Sequence, residues 1–284
     1  MEIINRRQRM ASLTRKLRRE NKTIGFVPTM GALHEGHLAL VHEARQMSDI
    51  LIVSIFVNPT QFNEKDDFAK YPRDLTADAT LLTQYQVDYI FAPDEQEIYG
   101  ENFSTYVYVE NLTEPLEGAS RPGHFRGVAT VVTILFNTIR PDFAFFGQKD
   151  AQQVAVIERL TKDLGFDTEI IVVPIVREES GLARSSRNAR LSDAEREAAA
   201  IIYRALSEAR KAFSEGERNA VKLTEMVYQK IESEPLAQID YVAAVDQGTL
   251  ESVDKIGEKP VLLAAAVRFG KVRLIDNVIL APKQ

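Results

Sequence analysis

The sequence predicts an α/β protein in which a parallel sheet is followed by a smaller α+β domain. Near-continuous apolar runs at 49–57 and 143–146 are typical of strands that are buried on both faces, as in parallel sheets. Most of the predicted strands in this part of the chain are followed by amphipathic helical spacing, which indicates a doubly wound arrangement. Beyond residue 176 the pattern changes to two helices and three alternating strands, which predicts an antiparallel sheet.

The length of 284 residues and a change in composition predict two domains. Residues 177–188 are charged, hydroxyl-rich and interrupted by Gly181, which is typical of a boundary. We therefore assign residues 1–176 to a Rossmann-like α/β domain. Residues 177–284 are assigned to a C-terminal α+β domain that is expected to act as a lid.

Composition excludes several classes of protein. Hydrophobic residues make up 45% and charged residues 27%, as in globular proteins. The net charge of −6 argues against a general nucleic-acid-binding or membrane-surface protein. The absence of cysteine excludes disulfides and thiol catalysis and agrees with a cytoplasmic location. No apolar run has the length of a membrane span, and we expect no secretory signal.

Apolar periodicity and capping residues define the elements of the first domain. Met10, Leu13 and Leu17 form one helical stripe, so the arginines around them are interpreted as its solvated face. A nucleic-acid-binding arm or a transit peptide is the less favoured alternative. Asp74 is a suitable N-cap. In chain order we predict helix 5–21, strand 24–27, a helix to about 48, strand 49–57, helix 74–85, strand 87–91, an edge or antiparallel strand 103–109, helix 128–139, strand 143–146, helix 151–164 and strand 168–176.

The second domain begins with a capping signal. Ser192 is followed three residues later by Glu195, which predicts a capping box and a long helix to about Phe213. A second helix is predicted at about 217–233, and strands at 239–245, 261–267 and 272–279.

The turn at 28–37, where a strand passes into a helix, organises the chain. Helix N-termini offer free N–H groups and a partial positive charge, which suit phosphate. Gly31 and Gly36 allow close approach of the backbone, and His34 and His37 lie on one helix face. The pattern favours a nucleotide triphosphate whose phosphoryl oxygens accept from the imidazoles. Two unrelated surface histidines are the alternative, and the spacing disfavours zinc.

Other polar segments follow predicted strands. Asn58 and Gln61 lie in a loop at the carboxyl end of a strand, where α/β sheets bind ligands, although turn chemistry alone explains Asn-Pro. The loop 116–127 carries two arginines and a histidine, and we favour a functional role over a plain surface loop.

A second strand-to-helix turn lies at 147–150. Lys149 is suited to pairing with phosphate and Asp150 to accepting from ribose hydroxyls, unless Asp150 is only a helix N-cap. Residues 185–187, Ser-Ser-Arg, offer two hydroxyls and a guanidinium to phosphate, although a flexible linker has a similar composition.

Together these segments predict chemistry at the α-phosphate of a triphosphate by positioning and electrostatics, with Mg²⁺ shared with the phosphates. No Gly-x-x-x-x-Gly-Lys motif is present, which disfavours a P-loop kinase.

The chain also resembles the pantothenate synthetases, the pantoate–β-alanine ligases, over essentially its whole length. This family belongs to the nucleotidyltransferase superfamily with a HIGH-type signature, here His34-Glu35-Gly36-His37. The resemblance rests on segments 28–37, 56–62, 71–73, 116–118, 121–127, 147–153, 185–188 and 273–277.

The resemblance implies an ATP-dependent ligase that joins (R)-pantoate to β-alanine through pantoyl adenylate, releasing pyrophosphate and AMP. It implies Mg²⁺, a cytoplasmic homodimer, and neither nucleic-acid nor membrane partners. The expected catalytic residues are His34, His37, Lys149 and Arg187, with His37 as the proton donor. Pantoate is expected at Gln61 and Gln153 and β-alanine at Gln61, with no protein ligand for a metal. The expected ATP-binding residues are Met30, Gly31, Ala32, Leu33, His34, Glu35, Gly36, His37, Gly147, Gln148, Lys149, Asp150, Val176, Arg184, Ser185, Ser186 and Arg187.

Two positions depart from the family pattern. Arg184 stands where many members carry Leu or Met, and Thr60 where Met or Leu is common. The alternatives to the ligase are another adenylyl-transferring enzyme of the superfamily and a nucleotide sensor that has lost its chemistry.

Overall fold

A computed structural model describes residues 1–63 and 65–282, without the side chains of 65–67. Its larger sheet has six strands, all parallel, in the order β1-β4-β3-β2-β5-β6. The predicted α/β class with a Rossmann-like parallel sheet is thereby confirmed. The strands are β1 (Glu2–Ile4), β2 (Ile24–Thr29), β3 (Ile50–Ile55), β4 (Tyr89–Phe91), β5 (Phe143–Gly147) and β6 (Glu169–Val173).

The strand order creates a topological switch point at β2 and β5. These strands are hydrogen-bonded neighbours, yet the chain leaves β2 for β3 on one side and β5 for β6 on the other. In open α/β sheets ligands bind outside the carboxyl ends of the strands at such a point. The two turns singled out in the sequence follow the carboxyl ends of these two strands.

Helices follow most of the parallel strands. Val27, Leu51, Val53 and Phe145 are fully buried in the core beneath them. Asp74 is an N-cap as predicted, since its carboxylate accepts from the N–H of Ala77 at 2.9 Å. The helices are α1 (Arg7–Arg19), α2 (Glu35–Met47), α3 (Lys65–Lys70), α4 (Leu75–Thr83), α5 (Glu95–Tyr99), α6 (Glu117–Ser120), α7 (His124–Ile139) and α8 (Ala151–Asp163).

The C-terminal part forms an antiparallel sheet of three strands in the order β7-β8-β9, as predicted. Its core is lined by fully buried side chains such as Leu206, Leu223 and Leu263. The capping box of Ser192 and Glu195 is also confirmed. The elements are α9 (Asp193–Ala199), α10 (Ile201–Ser214), α11 (Ala220–Glu232), β7 (Ala237–Asp246), β8 (Val261–Phe269) and β9 (Val272–Leu280).

Contacts divide the chain into two compact units. The first contains Met1–Gly147 and Gln152–Val173, and the second contains Gln148–Ala151 and the chain from Pro174 onward. Strand, turn and helix periodicity are local, whereas this grouping depends on tertiary contacts.

Three local predictions were wrong. Residues 103–109, all of them described, lie in a loop rather than a strand, and the N–H of Val107 donates to the Thr130 hydroxyl at 3.0 Å. The helix predicted to run to Phe213 is two helices, α9 and α10, which meet at Ala200. The loop predicted at 116–127 contains α6 and the first turn of α7. The short strand β1 has too few residues to show a period.

Among the described residues, no helix is both long enough and apolar enough to cross a membrane.

Candidate active site

The turn after β2 is fixed by a buried carboxylate. Asp78 of α4 is 4% exposed and accepts from the N–H groups of Ala32 at 3.0 Å and Leu33 at 2.9 Å. The N–H of Gly31 donates to the Thr29 hydroxyl at 3.2 Å. Gly31 has φ of 77° and Ala32 of 51°, so two consecutive residues take left-handed conformations. These three N–H groups, which precede α2, are therefore satisfied within the protein.

The two histidines cap α2. His34 is the N-cap residue, and its Nδ1 accepts from the N–H of Gly36 at 3.1 Å. The N–H of His34 in turn donates to Nδ1 of His37 at 3.4 Å, and the ring centroids are 4.2 Å apart. Because each Nδ1 accepts, the neutral imidazole carries its proton on Nε2. The sequence correctly placed the rings together but did not reveal their capping role.

Gln61 follows β3 in a buried polar network. Gln61 is 8% exposed and Asn58 is 1% exposed. The amide nitrogen of Asn58 donates to Oε1 of Gln61 at 3.1 Å and to the carbonyl of Gly127 at 3.1 Å. Oε1 is thereby assigned as the acceptor, which leaves the Nε2 amino group of Gln61 as the donor. That nitrogen lies 2.9 Å from the sulfur of Met30, so the expected ATP and pantoate residues meet here.

Hydroxyl groups complete this network. The Tyr99 hydroxyl donates to Oδ1 of Asn58 and lies 3.0 Å from the Thr60 hydroxyl, which also donates to Asn58 at 2.9 Å. Burial raises the pKa of Tyr99 to about 12, so its hydroxyl keeps its proton and remains a donor. Thr60, one of the departures from the family pattern, therefore supports Asn58 through its hydroxyl.

Arg121, at the end of α6, and His124, the first residue of α7, hold the backbone of Gln61. His124 is 7% exposed, and its Nδ1 lies 2.9 Å from the carbonyl oxygen of Gln61. Arg121 lies 3.1 Å from Nε2 of the same ring and donates to the same carbonyl at 3.4 Å. Since Arg121 can only donate, Nε2 of His124 accepts and Nδ1 carries the proton. The structure thus gives this segment a supporting role.

The paired glutamines of α8 differ. Gln152 is 5% exposed and is bound by the carbonyls of Leu112 and Pro115 and by the N–H of Glu117, at 2.8–2.9 Å. Gln153, the expected pantoate ligand, is partly exposed. Gln152 therefore serves the scaffold, and Gln153 is the more exposed of the two side chains.

In the second unit, Lys149 lies in a short 3-10 turn, Gln148–Asp150. The side-chain amide of Asn277, on β9, donates to the carbonyls of Gln148 and Lys149. The lysine ammonium lies 4.0 Å from the Asp150 carboxylate. Gly147 ends β5 in the first unit, with no atom within 4 Å of a Cβ built there.

The serine–arginine segment ends a hairpin. The N–H of Arg184 donates to the carbonyl of Val176 at 2.9 Å, and Ser185 caps a 3-10 helix by accepting from the N–H of Arg187 at 3.2 Å. Ser186 and Arg187 are exposed. The Arg184 guanidinium lies 3.8 Å from the carboxylate of Glu178, so it forms an ion pair within the protein.

Sequence reasoning missed Asp78 and the role of Asn277. In the sequence Asp78 is simply a charged residue of a predicted helix. Its role becomes visible only from its burial and its contacts with Ala32 and Leu33. Asn277 belongs to a segment that supported the family resemblance, but its contacts are remote in sequence.

Comparison with known proteins identifies the family. The family model described as pantoate-beta-alanine ligase matches residues 2–279. The chain is 53% identical to the pantothenate synthetase of Heliobacterium modesticaldum, over 98% of this chain and 99% of that one. The chain belongs to the pantoate–β-alanine ligase family.

Solved structures of this ligase family agree. Pantothenate synthetase from Thermus thermophilus superposes with a TM-score of 0.90 at 42% identity, covering 99% of this chain and 100% of that one. A pantoate–β-alanine ligase from Francisella tularensis, complexed with beta-gamma ATP and β-alanine, gives a TM-score of 0.79 at 38% identity, covering 98% and 97%. Membership at this identity makes the chain an ATP-dependent ligase that forms pantothenate.

Proposed function

We propose that the chain condenses (R)-pantoate with β-alanine in two steps at the residues described above. A carboxylate oxygen of pantoate attacks the α-phosphorus of ATP, and pyrophosphate leaves. The amine of β-alanine then attacks the acyl carbon of the adenylate, and AMP leaves as the amine loses a proton. The Francisella relative is complexed with beta-gamma ATP and β-alanine, which supports the electrophile of the first step and the nucleophile of the second.

The observation that carries this proposal is the orientation of the donors. His34 and His37 both use Nδ1 for capping, so both carry Nε2–H groups suited to phosphoryl oxygens. Gln61 is oriented by Asn58 to offer an amino group, which suits the carboxylate or a hydroxyl of pantoate. Gln61 is also the proposed β-alanine contact, and Gln153 the second pantoate contact.

The remaining roles are proposed on the family resemblance and the chemistry of the side chains. Lys149 stabilises charge on the phosphates, and Ser185, Ser186 and Arg187 bind them. The proposed nucleotide contacts also include Met30, Gly31, Ala32, Leu33, Glu35, Gly36, Gly147, Gln148, Asp150, Val176 and Arg184.

Mg²⁺ fits this residue set as an ion held mainly by the nucleotide. The described residues contain no group of three histidine or carboxylate side chains that could enclose a metal. Mg²⁺ commonly binds substrate phosphates with one or two carboxylates and several waters. Bound in that way, it would neutralise phosphate charge.

Exchange of labelled pyrophosphate into ATP, measured with a panel of carboxylic acids, tests the proposal. We expect exchange that depends on pantoate and, after β-alanine is added, release of AMP. Exchange supported only by another acid would establish a different adenylyl-transferring enzyme. Release of ADP would contradict an adenylate intermediate.

Three further properties are proposals that rest on the family resemblance: a homodimer, a cytoplasmic location, and a lid function for residues 177–284. Light scattering during size-exclusion chromatography tests the first, with a mass of about 64 kDa expected because one chain has 32.0 kDa.

A further inference from the structure

Two consecutive buried polar residues lie on the last strand of the second unit. Asp276 and Asn277 of β9 are each 3% exposed. They pair with Ala265 and Ala264 of β8, in a region otherwise filled by apolar side chains. Buried polar groups destabilise a protein unless they are satisfied, so their partners indicate what they are for.

The side chain of Asn277 binds the turn that carries Lys149. Its amide nitrogen donates to the carbonyl of Gln148 at 3.0 Å and to that of Lys149 at 3.1 Å. Its Oδ1 accepts from the side-chain amide of Gln148 at 3.2 Å. Two of the three hydrogen bonds of this carboxamide thus fix both carbonyls that flank the Lys149 Cα atom.

Asp276 anchors the strand on which Asn277 lies. Arg177 forms two hydrogen bonds with its carboxylate, at 2.6 and 3.0 Å, and the N–H of Asn277 donates to it at 2.8 Å. Burial raises the pKa of Asp276, and the Arg177 charge opposes that shift. Arg177 also lies over the ring of Tyr203 at 3.8 Å.

These contacts also connect the two phosphate-directed segments of the second unit. Arg177 donates to the carbonyl of Gly181 at 3.0 Å, within the hairpin that leads to Ser185. Asp276 therefore holds the base of the serine–arginine hairpin, and Asn277 holds the Lys149 turn.

We propose that Asn277 is a positioning residue for Lys149, acting through the two carbonyls that flank it. The proposal rests on the proposed role of Lys149 at the phosphates. The backbone sets the direction in which the long lysine side chain leaves its Cα atom. The several rotatable bonds beyond that point then determine where the ammonium lies. Small displacements of such a charge have large effects on transition-state stabilisation.

A double-mutant cycle of Asn277→Asp and Lys149→Ala tests the positioning role. Asn277→Asp keeps the size of the side chain but replaces two donors with an acceptor facing two carbonyls. We expect kcat of pantoate-dependent pyrophosphate exchange to fall about 10- to 100-fold, with the KM for pantoate changed less than about 2-fold. In the Lys149→Ala background, the further loss should be less than about 3-fold, because the group being positioned is absent. Equal losses in both backgrounds would overturn the proposal.

Val278→Ala is the matched control. Val278 is the next residue of β9, is 4% exposed, and packs in the C-terminal core. We expect this variant to lower Tm while leaving exchange within about 2-fold of the parent. A loss in Val278→Ala as large as that in Asn277→Asp would overturn the proposal, since general destabilisation would then explain both. If Asn277→Asp does not fold, Asn277→Ala makes the same comparison.

These variants distinguish a failure of the phosphate role of Lys149 from a failure of the positioning role of Asn277. If Lys149→Ala exchanges pyrophosphate normally, the proposed phosphate role of Lys149 is wrong, and the positioning proposal falls with it. If Lys149→Ala is impaired but Asn277→Asp is not, only the positioning proposal is overturned.

Discussion

The two strand-to-helix turns of this chain are held in opposite ways. In the turn after β2, a carboxylate, a hydroxyl and two imidazole nitrogens accept from backbone N–H groups. In the turn after β5, a carboxamide donates to backbone carbonyls. The first arrangement uses up donors that a phosphate would otherwise take. We infer that phosphate recognition at the first turn passes from the backbone to the imidazole Nε2–H groups, and at the second turn to the Lys149 ammonium.

Removing the ammonium should have the largest effect. We expect Lys149→Ala to lower kcat/KM for pantoate-dependent pyrophosphate exchange by about 10²- to 10³-fold, as loss of a single transition-state donor does elsewhere. Lys162→Ala, at an exposed position in the last turn of α8, is the control and should exchange normally. Near-normal exchange in Lys149→Ala would mean that the second turn does not act on phosphate.

Replacing His37 by each of its two amide mimics should separate the capping and donor roles at the first turn. An asparagine amide at this position reaches the place of Nδ1, whereas the longer glutamine side chain carries its amide to the place of Nε2. We expect His37→Asn to lose about 10²-fold in exchange rate and His37→Gln only about 10-fold, because the donor at Nε2 is the one directed at phosphate. Stability, measured by urea denaturation, should follow the reverse order. The opposite order of activities would show that Nδ1 is the functional atom.

The glycines of the two turns provide a paired comparison. A Cβ on Gly31 would lie 2.7 Å from the Asp78 carboxylate, at a φ of 77°. We expect Gly31→Ala to destabilise the protein by about 1–3 kcal/mol and to raise the KM for ATP, because Asp78 must move. Gly147→Ala meets no atom within 4 Å, so its Tm should stay within a few degrees. A loss of ATP affinity without loss of stability in Gly147→Ala would support its proposed contact with the nucleotide.

Features that depend on contacts between residues close in sequence could be predicted, and features that depend on distant residues could not. The parallel sheet, the C-terminal antiparallel sheet and the caps at Asp74 and Ser192 could be predicted, because periodicity and capping are local. The proximity of His34 and His37 followed from their spacing, but their capping geometry did not. The interactions of Asp78 with Ala32 and of Asn277 with Gln148 join residues 46 and 129 positions apart, and no local pattern reveals them.

The smallest predicted effect concerns acid stability of the serine–arginine hairpin. The Arg196 guanidinium and the Asn188 amide, both hydrogen-bonded to Glu178, lower the pKa of that carboxyl. A carboxyl whose pKa is lowered by folding stabilises the protein above its ordinary value near 4.5, and this contribution is lost as the pH falls through the lowered pKa.

Glu178→Gln should therefore lower Tm slightly at pH 7, since such a pair near the surface contributes about 1 kcal/mol or less. It should also reduce the fall in Tm between pH 7 and pH 3, as measured by differential scanning calorimetry. Glu179→Gln, at the exposed neighbouring position, should leave both quantities unchanged. An unchanged pH profile in Glu178→Gln would indicate that the hairpin is held by contacts other than the Glu178 carboxylate.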